Sequence, residues 1–169
     1  SNANFATAME PRCVAIGDLN ADGKPDLVSA NSLASSVSVL LNTTLAGATT
    51  PSFAAKVAFA GSGQPWFVAI GDLNGDAKPD LAVAARNSNV GSVYFNTTVA
   101  GALTPSFAAR ADFFTAGDPR SAAIGDWSGD GKPDLVIGTY TQMFSVLGNS
   151  TAAGATTPSF AARVDLWTG

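Results

Sequence analysis

The stretch GDLNADGKPDL at positions 17–27 places three aspartates and one asparagine within nine positions, although charged residues make up only 13% of the chain. Nearly the same stretch occurs as GDLNGDAKPDL at 71–81 and as GDWSGDGKPDL at 125–135. The first aspartates of these three acidic loops are 54 residues apart: Asp18, Asp72 and Asp126. This regular spacing indicates a repeat protein.

Other features repeat with the acidic loops. All nine prolines fall into three sets with one member in each unit, and the segment TPSFAA occurs at 50–55, 104–109 and 157–162. The last copy arrives one residue early, so one residue is deleted in the third unit. Three units of about 54 residues therefore account for nearly the whole chain.

Apolar residues within a unit follow a period of two, which is typical of β-strands. In FAAKVAF at 53–59, alternate residues from Phe53 to Phe59 share one face, whereas Lys56 points the other way. The apolar runs before and after each acidic loop, such as PWFVAI and PDLAVA, predict strands buried on both faces, and SVSVLLN at 36–42 predicts a further strand rich in β-branched residues. Four short antiparallel strands in each unit predict a propeller blade.

The predicted fold is all-β, a β-propeller-type array of three four-stranded antiparallel blades in a single repeat domain at residues 4–169. With the strand before the acidic loop innermost and the TPSFAA strand outermost, the blades fall at 11–59, 65–113 and 119–167. Residues 1–3, Ser-Asn-Ala, are typical of a remnant of tag removal. Because closed propellers have about four to eight blades, the three blades are part of a larger propeller, close a ring as a homo-oligomer, or stand open with polar end faces. Exposed apolar blade faces favour head-to-tail self-association.

Composition excludes several classes of function. The net charge is −4 and no basic stripe is interleaved with aromatic residues, which argues against nucleic-acid binding. No apolar run approaches the roughly 18–20 residues of a membrane span. Histidine is absent, and no catalytic constellation remains once the acidic loops are set aside, so we expect no enzymatic activity. The single cysteine, Cys13, is expected to fill the core.

The acidic loop has the spacing of a cation site. Counted from Asp18 as position 1, oxygen-bearing side chains fall at positions 1, 3, 5 and 9, with Gly23 at position 6. Ca²⁺ takes oxygen ligands from carboxylates, amides and backbone carbonyls, and a glycine permits the positive-φ turn that returns later ligands to the ion. An EF-hand is excluded because position 12 is not glutamate. The alternative is a set of metal-free turns whose carboxylates accept backbone N–H groups.

The pattern D-x-[DN]-x-D-G-x-x-D-L after a short V-A-x-G-D strand resembles the FG-GAP/VCBS repeat, over essentially residues 5–167. That family occurs in the β-propeller of integrin α-subunits, in some fungal lectins and in many bacterial secreted or surface proteins. The resemblance implies up to three Ca²⁺ ions, one on each hairpin between the first two strands of a blade. The implied ligands are Asp18, Asn20, Asp22, the Lys24 carbonyl and Asp26 in the first loop; Asp72, Asn74, Asp76, the Lys78 carbonyl and Asp80 in the second; and Asp126, Ser128, Asp130, the Lys132 carbonyl and Asp134 in the third.

Two positions depart from the family pattern. Ala77 replaces the position-6 glycine of the second loop, and a non-glycine residue in the left-handed conformation costs about 1–2 kcal/mol. Ser128 replaces the asparagine of the third loop, which exchanges an amide oxygen for a shorter hydroxyl. We therefore expect the first loop to bind calcium most tightly.

The resemblance implies a calcium-binding module of a secreted or cell-surface protein, an adhesion or ligand-binding scaffold with structural Ca²⁺ sites and a protein or carbohydrate partner. The alternatives are a Ca²⁺-dependent, lectin-like carbohydrate-binding module and a non-catalytic part of an extracellular polysaccharide-degrading enzyme. Five aromatic residues are candidates for inter-blade packing or sugar stacking: Trp66, Tyr94, Trp127, Tyr140 and Trp167. Three Asn-x-Ser/Thr sequences are either glycosylation acceptors or strand-end turns: Asn42, Asn96 and Asn149.

Overall fold

The computed structural model describes residues 3–169, so the first two residues of the tag remnant predicted at 1–3 lie outside the described residues. Twelve β-strands form within the described range, and no helix there is long and apolar enough to cross a membrane. The strands are β1 Pro11–Gly17, β2 Asp26–Asn31, β3 Ser36–Leu40, β4 Val57–Ala60, β5 Pro65–Gly71, β6 Asp80–Ala85, β7 Val90–Tyr94, β8 Ala111–Phe114, β9 Pro119–Gly125, β10 Asp134–Thr139, β11 Met143–Leu147 and β12 Val164–Trp167.

The strands form three four-stranded antiparallel sheets, each made of consecutive strands. These sheets are blade 1 (β1–β4), blade 2 (β5–β8) and blade 3 (β9–β12). Within each blade every strand pairs with its predecessor, although the third and fourth strands are joined by a long segment that contains TPSFAA. The predicted fold class is confirmed: the chain is an all-β array consistent with a partial β-propeller.

The outer strand of each blade is shorter than the TPSFAA segment predicts. Strand β4 begins only at Val57, and Phe53 forms a single β-bridge with Asn42. The same isolated bridge joins Phe107 to Asn96 in blade 2. Proline in TPSFAA has no N–H to donate, which limits regular pairing in the segment. The TPSFAA part of the predicted outer strand is therefore wrong, whereas Val57 and Phe59 alternate with exposed residues as the period of two predicts.

Two apolar cores lie between neighbouring blades. The first packs Val28, Val37 and Val39 of blade 1 against Leu81 and Val83 of blade 2, with Cys13 partly buried beside them. The second packs Ala82 and Val93 of blade 2 against Leu135 and Ile137 of blade 3. Blade 2 thus contributes to both cores: one face of its sheet packs in the first core and the opposite face packs in the second.

Burial on both faces holds for β6 of the central blade but not for β1 of blade 1 or β9 of blade 3. Every residue of β6 and β7 is buried. Strand β1 has no buried residue, and Val14 and Ile16 are 62% and 64% exposed. The expectation that strands beside the acidic loops are buried on both faces is wrong for β1, because within residues 3–169 no further blade covers that face of blade 1.

Candidate metal centres in the acidic loops

Each acidic loop connects the first two strands of a blade, where pairing continues to the last residue before the loop. Gly17 pairs with Asp26 in blade 1, and the equivalent pairs close the loops of the other two blades. The glycine before position 1 and the aspartate at position 9 therefore form the base of every hairpin. All predicted ligands of one loop lie on one β-hairpin.

The aspartate at position 1 accepts N–H groups from the far side of its own loop. Asp18 Oδ1 accepts the N–H of Asp22 at 3.2 Å, and Asp18 Oδ2 accepts the N–H of Gly23 at 2.8 Å. In the third loop, the backbone N–H of Gly131 lowers the pKa of the Asp126 carboxyl, assisted by two further N–H groups. These bonds curl the loop and keep Asp126 charged.

The oxygens at positions 1 and 3 converge in the first two loops. Asn20 Oδ1 accepts the N–H of Asp22 at 3.3 Å, and Asp18 Oδ1 accepts that same N–H. In the second loop, Asn74 Oδ1 and Asp72 Oδ1 both accept the N–H of Asp76 at 3.2 Å. The backbone N–H of Ser128 in the third loop instead donates to Asp134 at 3.0 Å.

The carboxylates at position 5 turn back onto their own loops. Asp22 Oδ1 accepts the N–H of Lys24 at 2.9 Å, and Asp76 Oδ1 accepts the N–H of Lys78 at the same distance. Asp130 does the same with Lys132 in the third loop. One oxygen of each carboxylate is therefore occupied by the backbone.

The aspartate at position 9 is buried and joins three strands. Asp80 Oδ2 accepts the N–H of Leu73 at 2.8 Å, and its Oδ1 accepts the N–H of Asn96, just beyond the third strand, at 2.8 Å. Asp26 and Asp134 make the equivalent bonds, and all three residues are at most 1% exposed. Burial raises the pKa of Asp80 to about 6 and also raises the pKa of Asp26. This structural role is additional to the predicted metal ligation.

The donors fit a hard cation in kind, because carboxylate, amide and carbonyl oxygens are the ligands that Ca²⁺ prefers. Convergence of the position-1 and position-3 oxygens fits as well. Within residues 3–169, however, no group of three or more histidine, cysteine, aspartate or glutamate side chains is arranged to hold a metal ion. The carboxylates instead accept backbone N–H groups, as the metal-free turn interpretation expects.

Backbone conformation bears out the predicted left-handed position 6. Gly23 and Gly131 have φ of 80° and 83°, and Ala77 has φ of 65° in the second loop. Position 4 is left-handed as well, and there Ala21 has φ of 52° whereas the other two loops have glycine. The first and second loops therefore each contain one left-handed alanine. Strain at position 6 consequently gives no reason for the first loop to bind most tightly.

Neighbouring blades are joined by a set of hydrogen bonds at the acidic loops, here called the blade latch. Asn96 Nδ2 donates to the Leu19 carbonyl at 2.8 Å, and the Gly101 N–H donates to the Asn20 carbonyl at 2.6 Å. Asn20 Nδ2 donates in turn to the Ala102 carbonyl at 2.9 Å. The equivalent latch between blades 2 and 3 joins Asn149 to Leu73 and Asn74 to Gly154 and Ala155.

The latch also explains the Asn-x-Ser/Thr sequences. Asn96 and Asn149 are only 2% and 5% exposed, and each side chain is hydrogen-bonded to backbone groups. Their Oδ1 atoms accept the N–H two residues later, which is the geometry of a strand-end Asx turn. Of the two interpretations drawn from the sequence, glycosylation acceptor and strand-end turn, the structure agrees with the turn at Asn96 and Asn149.

A cluster of arginine and aromatic residues lies at the starts of the inner strands. Arg12, Trp66 and Arg120 are equivalent positions of the three blades, and the guanidinium carbons of Arg12 and Arg120 lie 4.4 and 5.0 Å from the Trp66 ring centre. Arg120 also lies 4.6 Å from the ring centre of Tyr140, which is 71% exposed. Tyr94, by contrast, is buried, and its hydroxyl donates to the Ala60 carbonyl at 2.9 Å.

A family model described as FG-GAP-like repeat matches residues 18–83 and 73–137. The chain belongs to the FG-GAP-like repeat family. Together the two matches run from Asp18, the first aspartate of the first acidic loop, to Ile137, just beyond the third loop. The resemblance drawn from the loop pattern is thereby confirmed. FG-GAP repeats are typical of extracellular proteins.

One solved structure shows the same architecture. A chain in the crystal structure of BBS1N in complex with ARL6DN, soaked with mercury, is similar with a TM-score of 0.54 and 18% sequence identity, over 96% of this FG-GAP chain. At that identity the likeness shows the fold alone. The FG-GAP chain spans 41% of the length of that chain. No curated protein matches the sequence.

Proposed function

We propose that these FG-GAP repeats form a calcium-binding module of a secreted or cell-surface protein, in which up to three Ca²⁺ ions stabilise a scaffold for adhesion or ligand binding. The observation that carries the proposal is the convergence of Asp18 Oδ1 and Asn20 Oδ1 on a single N–H, which is repeated by Asp72 and Asn74. Two oxygens of the kind that Ca²⁺ prefers therefore face the same N–H, at two of the positions that the family pattern assigns to ligands.

The ligands in each loop would be the side chains at positions 1, 3, 5 and 9 and the backbone carbonyl of the lysine at position 7. Each loop gathers three carboxylates, and the charges of Asp76 and Asp72 add to burial in raising the pKa of Asp80. When bound, Ca²⁺ supplies positive charge that offsets this repulsion. The role of the ion is structural, because it fastens the hairpin that carries both the buried aspartate and the blade latch.

Calorimetric titration with Ca²⁺ and thermal melting in Ca²⁺ or EGTA test the proposal. A ligand that binds only the folded state raises the free energy of unfolding by about 2.7 kcal/mol at a hundredfold excess over its dissociation constant. Asp18→Asn, Asp72→Asn and Asp126→Asn should each remove one site from the measured stoichiometry. Position 1 is chosen because these side chains bond within their own loops, whereas position 9 joins the strands.

Asp112→Asn is the control, because this aspartate lies outside the loops and pairs with Arg110. It should leave the calcium stoichiometry unchanged. The absence of binding heat, together with a melting curve that is the same in Ca²⁺ and EGTA, would overturn the proposal.

Carbohydrate binding is a second candidate, supported by the arginine–aromatic cluster at the inner strand starts. An exposed aromatic ring beside a guanidinium offers a stacking surface and hydrogen-bond donors, which suit a sugar. A glycan array with and without EGTA tests this function. Tyr140→Ala should abolish any signal, whereas Trp127→Ala, at a similarly exposed residue (69%) outside the cluster, should retain it. Equal signals from both variants would argue against a sugar site at the cluster.

A further inference from the structure

Both junctions between blades depend on a close approach of isoleucine to glycine on the inner strands. A Cβ atom at Gly17 would lie 3.2 Å from Ile70 Cγ2, and a Cβ atom at Gly71 would lie 3.0 Å from Ile124 Cγ2. Each blade therefore presents a glycine to the isoleucine of the next blade. Together with the blade latch, this contact defines one junction that occurs twice in the chain.

The two ends of the array carry the two unused halves of this junction. On blade 1, Ile16 is the equivalent of Ile70 and Ile124, yet it is 64% exposed. Asn42 is the equivalent of Asn96, and its amide donates only to Pro25 of its own blade. On blade 3, Gly125 is the equivalent of Gly17 and Gly71, and no atom lies within 4 Å of a Cβ built there.

In the described part of the chain, the latch groups at the third acidic loop also have no partner blade. Leu19 and Leu73, at position 2 of the first two loops, are 2% exposed, whereas Trp127 at this position of the third loop is 69% exposed. Among residues 3–169, the carbonyls of Trp127 and Ser128 receive no latch bond from a following blade. We call the blade 1 surface around Val14, Ile16 and Asn42 the head face, and the blade 3 surface around Gly125, Trp127 and Ser128 the tail face.

We propose that the head face of this chain docks on the tail face of a second copy, and that two copies close a six-bladed ring through two such junctions. The occupant is a second copy because the two faces are complementary halves of a contact that the chain already makes twice within itself. Ile16 of one copy would cover Gly125 of the other, and Asn42 would donate to the second copy's Trp127 carbonyl. Six blades lie within the range of about four to eight that closed propellers use, and closure removes both exposed faces.

One residue of the chain competes for the head face. Phe5 packs edge-to-face on Phe53 with ring centres 4.8 Å apart. The two internal junctions make the same contact with an aromatic residue of the preceding blade, through Phe59 on Phe107 and Phe113 on Phe160. Leu166, 43% exposed, stands at the equivalent position of blade 3. Docking would replace Phe5 by the second copy's Leu166, so Phe5→Ala should strengthen association.

Sedimentation velocity over a wide range of protein concentration tests the proposal, with the expected species at twice the mass of one chain. Ile16→Asp should raise the dissociation constant about a hundredfold, because it buries an unpaired charge at the junction. Leu103→Asp is the matched control, since Leu103 is 63% exposed but lies outside both faces. Gly125→Val should also prevent association, because its side chain has open space in one chain but meets Ile16 in the dimer. Circular dichroism and melting of each variant establish that it folds.

Mixing the variants tests the order of the junction. Ile16→Asp and Gly125→Val are each expected to be monomers alone, whereas their equimolar mixture should form a heterodimer through the one junction that remains intact. A mixture that stays monomeric overturns the head-to-tail order, and species that grow beyond the dimer overturn closure at six blades. A wild-type monomer at every concentration, or equal effects of Ile16→Asp and Leu103→Asp, overturns the proposal as a whole.

Discussion

The position-9 aspartates place one carboxylate where three strands of a blade meet. Asp26, Asp80 and Asp134 accept N–H groups from the acidic loop and from the second residue after the third strand. Each side chain thus satisfies at least two backbone donors that burial would otherwise leave without partners. A residue predicted from the sequence to be a metal ligand is therefore part of the sheet's internal hydrogen bonding.

The buried carboxyl of Asp80 should show an elevated pKa when calcium is removed. Burial raises its pKa to about 6 from the ordinary value of 3.8. Between these pH values the folded state holds a proton that the unfolded state has lost. Acidification from about pH 7 to about pH 4 should therefore increase the stability that Asp80 contributes, that is, raise the free energy of unfolding. The proposed calcium ion would favour the charged form of this carboxylate, so added Ca²⁺ should lower this pKa.

Carboxyl ¹³C NMR titration in EGTA and in Ca²⁺ measures this behaviour. Asp118 is the control, since hydrogen bonding to Arg120 lowers its pKa and it lies outside the acidic loops. The Asp118 signal should titrate identically with and without calcium. An Asp80 carboxyl that titrates near 3.8 in EGTA would contradict the prediction.

Left-handed alanines in the first two loops are sites of removable strain. Ala77→Gly should raise the free energy of unfolding by about 0.5–1 kcal/mol, because relief of the left-handed strain exceeds the added entropy of the unfolded chain. Urea denaturation in EGTA measures the change without a contribution from calcium. Ala100→Gly, in an exposed turn of the same blade without positive φ, should lower stability instead. Equal effects of the two substitutions would show that Ala77 is not strained.

At the scale of elements, the hairpin and the latch are one unit. The loop that carries the candidate ligands also supplies the carbonyls to which the next blade binds, through Leu19 and Asn20 at the first junction. The asparagine at position 3 therefore has two roles. Its side-chain oxygen accepts an N–H within the loop, and its Nδ2 group donates a hydrogen bond to the next blade. Order within one loop is consequently coupled to the packing between blades.

The contribution of the blade latch to stability can be measured by comparing two asparagines at the same repeat position. Asn96 donates to Leu19 of blade 1 and to Pro79 of its own blade, whereas Asn42 donates only to Pro25 of its own blade. Asn96→Ala should therefore lower the free energy of unfolding by about 0.5–1.5 kcal/mol more than Asn42→Ala. Urea denaturation at low protein concentration measures both. Equal losses would mean that the inter-blade bond contributes nothing to stability.

At the scale of the whole molecule, the 54-residue period was sufficient to predict the all-β class and the three-blade array, because each unit repeats the same strand and turn signals. Burial could not be predicted strand by strand, since identical units have different neighbours at the centre and at the ends of the array. The turn alternative predicted that carboxylates accept N–H groups within a loop, but the bond from the Asn96 N–H to Asp80 was not predicted, because metal ligation and backbone capping require the same oxygens. The contacts of Trp66 with Arg12 and Arg120 were predictable, because equivalent residues at the starts of neighbouring inner strands lie close together.

The ends of such an array should be its least stable parts, because each blade contacts only its neighbours. Strands β8 and β12 pair with their third strands in the same way, but β8 alternates between half-buried and exposed residues, whereas all four residues of β12 are exposed. Amide hydrogen exchange of a dilute sample should therefore be at least about tenfold faster in β12 than in β8.

Protein concentration separates this end effect from an intrinsic weakness of β12. If the head face of a second copy covers blade 3, the protection of β12 should rise with concentration in the wild type but not in Ile16→Asp. Leu103→Asp should follow the wild type, since its charge lies outside the junction. Exchange in β12 that is as slow as in β8 in the dilute sample would show instead that pairing with β11 alone suffices to hold the end strand.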